Sequence, residues 1–242
     1  MRSLAVFSVK GGVGKTALAV NLAHVSATLS KRRTLLWDLD AQGAATWTLR
    51  LAATPHGSAR KGIAGGELAP LIQNTEFSGL DVLAADRSLR NLEKQLADDD
   101  RSKRLRKLLK SLDRDYDRIV LDCPPGLTEL ADQVFRAVDL LVVPMLPSPL
   151  SGRAYNQLVD HLGHMKDPPA VLPVFTMVDK RKALHRNTLL AFPLRPAIPY
   201  AAAIENMGAS RLPVIAKSPL SAAARALASL WTDVERALLA PG

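Results

Sequence analysis

The sequence is poor in several residues on which whole classes of protein depend. Its 242 residues include one cysteine, Cys123, so neither a disulfide framework nor a cysteine-based metal or iron–sulfur cluster can form within the chain. Aromatic residues make up only 5% of the chain, so we expect an aliphatic core. No apolar run approaches the ~18 residues that span a bilayer, and residues 1–9 do not have the charged and then apolar pattern of a leader. We therefore expect a cytoplasmic protein.

Positive charge is what the chain has in excess. Lys and Arg number 32 against 23 Asp and Glu, which gives a formal net charge of +9. A surplus of this size suits an anionic partner, nucleic acid before acidic lipid. Ordinary solubility charge on an enzyme is the alternative. The length suffices for one large α/β domain with a sizeable core, and we predict a single domain over residues 1–242.

The chain is organised around residues 4–16, which read LAVFSVKGGVGKT. The apolar run Leu4–Phe7 predicts a buried strand, and apolar residues at helical spacing predict a helix over 17–29. A glycine-rich loop between a strand and a helix is the structural context of a phosphate-binding P-loop. The match to G-x-x-x-x-G-K-[ST] is imperfect, because Val9 stands where the first glycine is usual. The alternative is a glycine-rich turn that carries two surface lysines.

The chemistry of phosphate binding accounts for this loop. Glycines let successive backbone N–H groups point at one phosphate, and the N-terminus of the following helix adds its dipole and its unpaired N–H groups. Lys15 would reach the β- and γ-phosphates of a nucleotide, and the Thr16 hydroxyl would bind Mg²⁺. An ordinary P-loop has no role for the second lysine, Lys10. The predicted nucleotide-binding residues of the loop are Gly11, Gly12, Val13, Gly14, Lys15, Thr16 and Ala17.

With the extra lysine, the string K-G-G-x-G-K-T resembles the deviant Walker A motif of the ParA/MinD family of P-loop ATPases. The resemblance implies that ATP with Mg²⁺ is held between two copies of the chain in a nucleotide-sandwich homodimer. It also implies that Lys10 crosses to the phosphates of the partner's ATP, where it would act in catalysis together with Lys15.

Two acidic residues follow a second predicted strand, Thr34–Asp38. Strand alternation would point Asp38 and Asp40 the same way. They lie at the carboxyl end of the strand, where open parallel sheets bind ligands, and they could serve Mg²⁺ or a hydrolytic water. A solvated turn is the alternative. The motif resembles the D-x-D-P-Q-G of the family, with Ala41 in place of proline. The resemblance implies that Asp40 positions or activates the attacking water and that Asp38 supports the Mg²⁺ shell.

A third motif follows the predicted strand Arg118–Asp122. An apolar strand that delivers one aspartate is the Walker B arrangement, in which Asp122 acts on Mg²⁺ through water. The sequence after the strand, Asp-Cys-Pro-Pro, also resembles the D-x-P-P motif of the family. No base partner is suggested near Cys123, so we predict that it is a small packed residue and not a nucleophile.

Residues that enclose the adenine are implied only by their position. In the family, a loop after the strand predicted at 170–178 and another after the next strand enclose the base. This position points to Met177, Pro199 and Tyr200. For Tyr200, plain packing is as good an interpretation as stacking on the base.

Two zones of the chain are strongly basic. Residues 101–110 carry six positive charges within a helical stretch predicted over 89–112. They form either a solvated helix face or part of a nucleic-acid footprint. Family members that segregate DNA bind it non-specifically through C-terminal basic residues, and with so few aromatics we favour contact with a duplex backbone over base stacking. Scattered solubility charge is the alternative. The predicted DNA-binding residues, all within 180–217, are Lys180, Arg181, Lys182, Arg186, Arg211 and Lys217.

The order of the predicted elements indicates an α/β fold, a doubly wound and mostly parallel sheet with helices on both faces. Residues 51–79 are the least organised, with a short helix possible at 67–73. A last helix is predicted to open at Ser218-Pro219 and to pack on the body, unlike a membrane anchor. Further strands are predicted at 80–84 and 140–145, and a further helix at 155–165.

The three motifs together favour a ParA-type ATPase. It would bind MgATP, dimerise and coat double-stranded DNA, and a ParB-like or other small activating partner would stimulate hydrolysis and release it. Repeated cycles would position a plasmid, chromosome or protein cargo on the nucleoid. Because the first strand begins the chain, we expect no N-terminal helix-turn-helix extension. Two alternatives are a MinD-like ATPase at a membrane surface, against which the tail argues, and a metabolic P-loop ligase such as a dethiobiotin synthetase or a cobyrinate amidating enzyme.

Overall fold

The computed structural model describes residues 1–53, 68–85 and 104–240. Their strands are β1 (Arg2–Val6), β2 (Thr34–Asp38), β3 (Ile72–Asn74), β4 (Leu80–Leu83), β5 (Arg118–Asp122), β6 (Leu140–Met145), β7 (Ala170–Val178) and β8 (Ala197–Pro199). They form one sheet in the order β3-β4-β2-β5-β1-β6-β7-β8. All neighbouring strands are parallel except β3 and β4, which are antiparallel.

Helices connect these strands. A 3₁₀ turn spans Ala69–Leu71, and the α-helices are α1 (Lys15–Thr28), α2 (Ala44–Thr48), α3 (Arg104–Ser111), α4 (Glu129–Ala137), α5 (Pro149–Gly163), α6 (Ala183–Ala191), α7 (Ala202–Glu205), α8 (Met207–Ser210), α9 (Val214–Lys217) and α10 (Ala222–Leu239). None of the helices in the described ranges is long and apolar enough to cross a membrane.

The central strands are buried on both faces, and their side chains alternate between two apolar cores. On β1, Leu4 and Val6 join the core that contains residues of α1 and α10. Ala5 and, just beyond the strand, Phe7 join the opposite core, which contains residues of α3 and α4. Burying a side chain such as Leu4 or Phe7 contributes roughly 1.5–3 kcal/mol. Helices therefore cover both faces, and the predicted doubly wound, mostly parallel sheet is confirmed.

The register of the central strands aligns their carboxyl ends. Asp122 at the end of β5 lies opposite Val6 of β1 on one side and opposite Asp38 of β2 on the other. The loops that leave these three strands therefore start from the same edge of the sheet. This alignment brings the predicted phosphate loop and two of the predicted acids together.

The predicted helix at 67–73 is wrong in part. Among the described residues, only a 3₁₀ turn forms there, and the chain continues as the edge strand β3. This strand has three residues and pairs only with β4, with Ile72 opposite Leu83 and Asn74 opposite Asp81. Long-range pairing decides its conformation, since three residues show no usable periodicity. Residues 54–67 of the least organised stretch, and residues 89–103 of the predicted basic helices, lie outside the described residues.

Two helix starts differ from the predictions by three residues or more. The last helix begins at Ala222, because the hydroxyl of Ser221 accepts a hydrogen bond from the backbone N–H of Ala224 at 3.0 Å. Ser218 and Pro219 precede it as a turn. The helix predicted at 155–165 begins earlier, at Pro149, where Ser148 is the cap. In the last helix Ser221 is the cap instead of Ser218. In the earlier helix Pro149 occupies the first turn, where proline is tolerated, so the proline-rich segment belongs in part to the helix.

Candidate functional site

The glycine-rich loop lies between β1 and α1 at the carboxyl edge of the sheet. Gly12 and Gly14 have φ values of 71° and 88°, a left-handed conformation that other residues rarely adopt. Among the described residues, a Cβ at Gly11, Gly12 or Gly14 would meet no atom within 4 Å, so the space above the loop is open to them. No side chain from the same ranges caps α1 at Gly14, so the first N–H groups of the helix have no side-chain cap there. The loop is thus shaped to receive an anion.

The two lysines of the loop have different surroundings. Lys15 is only 8% exposed, and its ammonium donates to the carbonyl oxygen of Lys10 at 3.4 Å. Burial lowers the pKa of Lys15, while the nearby carboxyls of Asp122 and Asp40 oppose that shift. Lys10 is half-buried as a residue, and its ammonium has neither a hydrogen bond nor an ion pair within residues 1–53, 68–85 and 104–240. Lys15 is therefore held in place, whereas the head group of Lys10 is available.

Two buried carboxyls face each other across neighbouring strands. Asp38 and Asp122 are both 0% exposed and are register partners on β2 and β5. One oxygen of Asp38 and both oxygens of Asp122 have no hydrogen bond of ordinary length and angle in the described part of the chain, although the Thr16 hydroxyl lies beside Asp122. Burial raises the pKa of Asp122, and the charge of Asp38 raises it further. Burial also raises the pKa of Asp38. Two ionised carboxyls at such a site require a cation or protons to balance them.

Thr46 holds the other oxygen of Asp38. Its hydroxyl and its backbone N–H both donate to Asp38 Oδ2, at 2.7 Å and 2.8 Å. The same hydroxyl accepts a hydrogen bond from the N–H of Ala85 at 2.9 Å. Sequence reasoning missed Thr46, although a threonine in the first turn of the helix that follows the acidic motif is a usable signal. Its contacts leave Asp38 Oδ1 free to face the site.

The residues present fit a magnesium ion bound together with a nucleotide. Within the described ranges, no group of three or more His, Cys, Asp or Glu side chains could hold a metal on its own. The unpartnered oxygens of Asp38 and Asp122, with the Thr16 hydroxyl beside Asp122, are instead hard oxygen donors of the kind Mg²⁺ uses through water and phosphate. The buried oxygens without partners are the observation that supports this fit.

An apolar pocket of about 320 Å³ adjoins the loop. This volume is within the range of small-molecule sites. Met177 has a φ of 52°, at a register shift between β7 and β8, so its backbone is strained where it lines the pocket. Tyr200 is 54% exposed, and its hydroxyl donates to Glu205 at 3.0 Å. The pocket contains the three residues predicted by position, and its lining includes Gly14, Ala17, Met177, Pro199, Tyr200 and Glu205.

Two polar residues of the pocket wall were missed at the level of the sequence. Asn21 on α1 is fully buried, and its amide oxygen accepts from the N–H of Val214 at 2.8 Å. Thr176 on β7 donates from its hydroxyl to the carbonyl oxygen of Val13 at 2.9 Å. These bonds tie the loop and α1 to distant parts of the chain. No local pattern could reveal them, because each joins residues more than 150 positions apart.

The predicted DNA-binding residues lie on several separate elements of the fold. Lys180, Arg181 and Lys182 form the turn between β7 and α6, where Arg181 pairs with Asp179 at 2.9 Å. Arg186, on α6, donates to the carbonyl oxygens of Lys180 and Arg181. Arg211 follows α8, and its guanidinium lies 4.0 Å from the ring centre of Trp47. Lys217 ends α9. The prediction that they bind DNA stays a prediction.

Cys123 behaves as a packed residue. Its thiol is 2% exposed, and burial raises its pKa well above the usual range. A thiol in this state is a poor nucleophile.

Comparison with known proteins agrees with this geometry. A family model described as "AAA domain" matches residues 1–170. The chromosome partitioning protein ParA of Caulobacter vibrioides is 33% identical over 195 residues, which is 76% of this chain and 72% of the relative.

Solved structures give the same fold. The septum site-determining protein MinD of Pyrococcus horikoshii, complexed with Mg-ADP, has a TM-score of 0.78 at 21% identity and covers 97% of this chain and 96% of its own. Cobyrinic acid a,c-diamide synthase of Mycobacterium smegmatis, with ADP and magnesium, has a TM-score of 0.78 at 25% identity. The match covers 98% of this chain and 94% of the synthase chain. The glycine-rich loop, the acids around it and the similarity to these relatives together show that the chain belongs to the ParA/MinD family of P-loop ATPases.

Proposed function

We propose that this protein is a ParA-type ATPase that binds MgATP, dimerises around it, binds DNA and hydrolyses ATP when a partner stimulates it. The observation that carries the proposal is the register of β2 and β5. It sets Asp38 opposite Asp122, both buried and with unpartnered oxygens, beside Lys15 and the glycine-rich loop. A buried pair of carboxyls with a lysine and an open loop suits a nucleotide phosphate and its cation.

The chain's own residues divide the work of binding ATP. The N–H groups from Gly11 to Ala17 hold the phosphates, and Lys15 adds its charge to the β- and γ-phosphates. Thr16, Asp38 and Asp122 would hold Mg²⁺ through its water shell, and the ion would supply positive charge beside the phosphate oxygens. The apolar pocket accepts the adenine between Met177, Pro199 and Tyr200.

Asp40 is the residue that orients the attacking water. It lies two residues beyond Asp38, is half-buried, and one of its oxygens accepts a hydrogen bond from the N–H of Gln42 at 2.9 Å. That bond stabilises the turn and leaves the second oxygen able to accept a proton or hold a water. Hydrolysis is expected to be slow without an activating partner.

Lys10 makes the site a shared one. Its ammonium has no partner in its own subunit over the described ranges, and it sits at the start of the loop. In a sandwich dimer, it reaches the phosphates bound by the second copy, so each copy completes the site of the other. The partner protein, ParB-like or another small activator, acts on this dimer, and the cargo is a plasmid, a chromosome or a protein assembly on the nucleoid.

DNA binding in this scheme uses backbone phosphates. The chain carries a net charge of +9, and Lys180, Lys182 and Lys217 have no ion pair among the residues described. Lysines that contact phosphates bind a duplex without reading its sequence, and the affinity falls steeply with salt.

The experiment that tests the proposal compares Lys10→Ala with Lys15→Ala. Dimerisation is measured by light scattering with and without MgATP, and ATP affinity by equilibrium binding. We expect Lys10→Ala to bind ATP but to remain monomeric, because its own loop is intact. Lys15→Ala should lose ATP affinity itself. A Lys10→Ala protein that dimerises with ATP as the wild type does would refute the sandwich arrangement.

The similarity to cobyrinic acid a,c-diamide synthase keeps a metabolic ligase as the second candidate. ATP turnover that requires a carboxylic acid substrate, and that DNA does not affect, would favour it. A MinD-like role at a membrane is less well supported, because α10 buries Leu227, Trp231 and Leu238 against the body of the protein. ATP-dependent flotation with anionic liposomes would reverse that ranking.

A further inference from the structure

A groove of about 710 Å³ opens at the amino edge of the sheet, at the opposite ends of the strands from the glycine-rich loop. The start of β1 and the residues before β7 form one part of its wall. The last turns of α4 and α10 and one side of α3 form the rest. Nothing in the proposed nucleotide chemistry uses this groove.

The acidic side chains in the groove are mostly neutralised by the chain itself. Asp139 pairs with Arg2 at 3.2 Å and also accepts two hydrogen bonds from Ser3. Asp113 pairs with the amino group of Met1 at 2.8 Å. Two of the acids that line the groove therefore add little negative charge to it.

Three basic side chains in the same groove are not neutralised. Arg106, Lys110 and Arg136 are exposed and line the groove, and none has a hydrogen bond or ion pair in the described part of the chain. Asp167 is the one acid of the lining without an ion pair over the same ranges. Positive charge is thus in excess, and it converges from two helices on one concave surface.

Helix ends explain only part of this arrangement. Lys110 and Arg136 lie in the last turns of α3 and α4, where a cation complements the helix dipole. Arg106 lies outside the last turn of α3, so the dipole does not account for it. Convergent cations without protein partners are typical of a surface that binds phosphates.

We propose that this amino-edge groove binds backbone phosphates of duplex DNA through Arg106, Lys110 and Arg136. The inference rests on the DNA binding proposed above and adds a second contact surface to the basic zone at 180–217. In a sandwich dimer the carboxyl edges of the two copies face each other, and their amino edges face outward. The groove therefore remains open in the state that binds DNA.

The test measures binding of a fluorescent random-sequence duplex to the full chain with MgATP, at several salt concentrations. The variant is Arg106→Gln/Lys110→Gln, and the matched control is Lys31→Gln/Arg225→Gln, which removes the same charge from exposed residues outside the groove. A third variant, Lys180→Gln/Lys182→Gln, reports on the other zone. Thermal unfolding and ATP affinity are measured for each.

We expect the groove variant to bind the duplex more weakly than the control does, with the slope of log affinity against log salt reduced by about 2, one for each lost phosphate contact. Its ATP affinity should match the wild type. If the groove variant has the same salt slope as the control, the inference is overturned. If Lys180→Gln/Lys182→Gln then loses binding to the duplex, the proposed DNA binding stands without the groove.

Three other outcomes also overturn the inference. A wild-type chain that does not bind the duplex with ATP refutes both the groove and the proposed DNA binding. Reduced thermal stability with an unchanged salt slope shows that Arg106 and Lys110 stabilise the fold and do not bind phosphates. Loss of binding to phosphatidylglycerol vesicles, with DNA binding intact, assigns the groove to lipid.

Discussion

Replacing Thr46 by valine removes a hydroxyl that two buried groups depend on. Thr46 donates to Asp38 at 2.7 Å and accepts from the N–H of Ala85 at 2.9 Å, and it is 3% exposed. A hydrogen bond to a charged group contributes about 1.5–3 kcal/mol, and a buried N–H left without an acceptor costs about 1–3 kcal/mol. Because valine has nearly the same shape, no cavity is added. We expect Thr46→Val to lower the free energy of unfolding by about 3 kcal/mol.

Urea unfolding followed by circular dichroism measures this loss. The matched control is Thr46→Ser, which keeps the hydroxyl and loses one methyl group, at a cost of about 1 kcal/mol. The valine variant should also lose more stability at pH 8 than at pH 5. Without the Thr46 hydroxyl the pKa of Asp38, already raised by burial, rises further, so the folded variant binds more protons and is favoured at low pH. A valine variant within about 0.5 kcal/mol of the wild type at pH 8 would refute the reasoning.

Two further predictions concern α1. Burial lowers the pKa of His24 to about 4, from an ordinary value of 6.5, so the folded state binds fewer protons between those values and stability falls as the pH drops through them. His24→Gln should reduce the loss of unfolding free energy between pH 7 and pH 4 by up to roughly 3 kcal/mol, measured by urea unfolding. If the variant and the wild type lost the same free energy over this range, the lowered pKa of His24 would be contradicted. Asn21→Leu leaves the N–H of Val214 without an acceptor, so it should lower the free energy of unfolding by about 2–3 kcal/mol and weaken ATP binding. A leucine variant with the unfolding free energy of the wild type would contradict this role of the bond to Val214.

Much of the fold could be predicted because the central strands are buried on both faces. Such strands appear in the sequence as continuous apolar runs, and the bounds predicted for β2, β5, β6 and β7 are those of the structure. The edge strand β3 could not be predicted in this way. Its three residues are partly exposed, and only pairing with β4 makes them a strand. The start of the last helix was predicted too early because Ser218 and Ser221 are both suitable caps, and the start at Pro149 was predicted too late because its prolines indicated a loop.

For the candidate site, too, the sequence predicted the local features and missed those that depend on long-range contacts. The motifs alone indicated a phosphate loop, two groups of acids and a second lysine, since glycine, lysine and aspartate at those spacings have few other uses. Residues whose role depends on long-range contacts could not be identified from the sequence. Thr176 and Val13 lie 163 positions apart, and Asn21 and Val214 lie 193 apart, so no local pattern links them.

By itself, the sequence determined that this chain carries a P-loop, that acids follow two of its strands, and that positive charge is in excess. These are local properties, set by residue type and spacing. Tertiary structure alone decided that Asp38 and Asp122 are register partners and that Thr46 holds one of them. It also decided that, among the residues described, some of their oxygens lack partners and three cations without ion pairs meet in a groove at the far edge of the sheet. The physical reason is that strand register, burial and charge pairing depend on which distant segments are in contact.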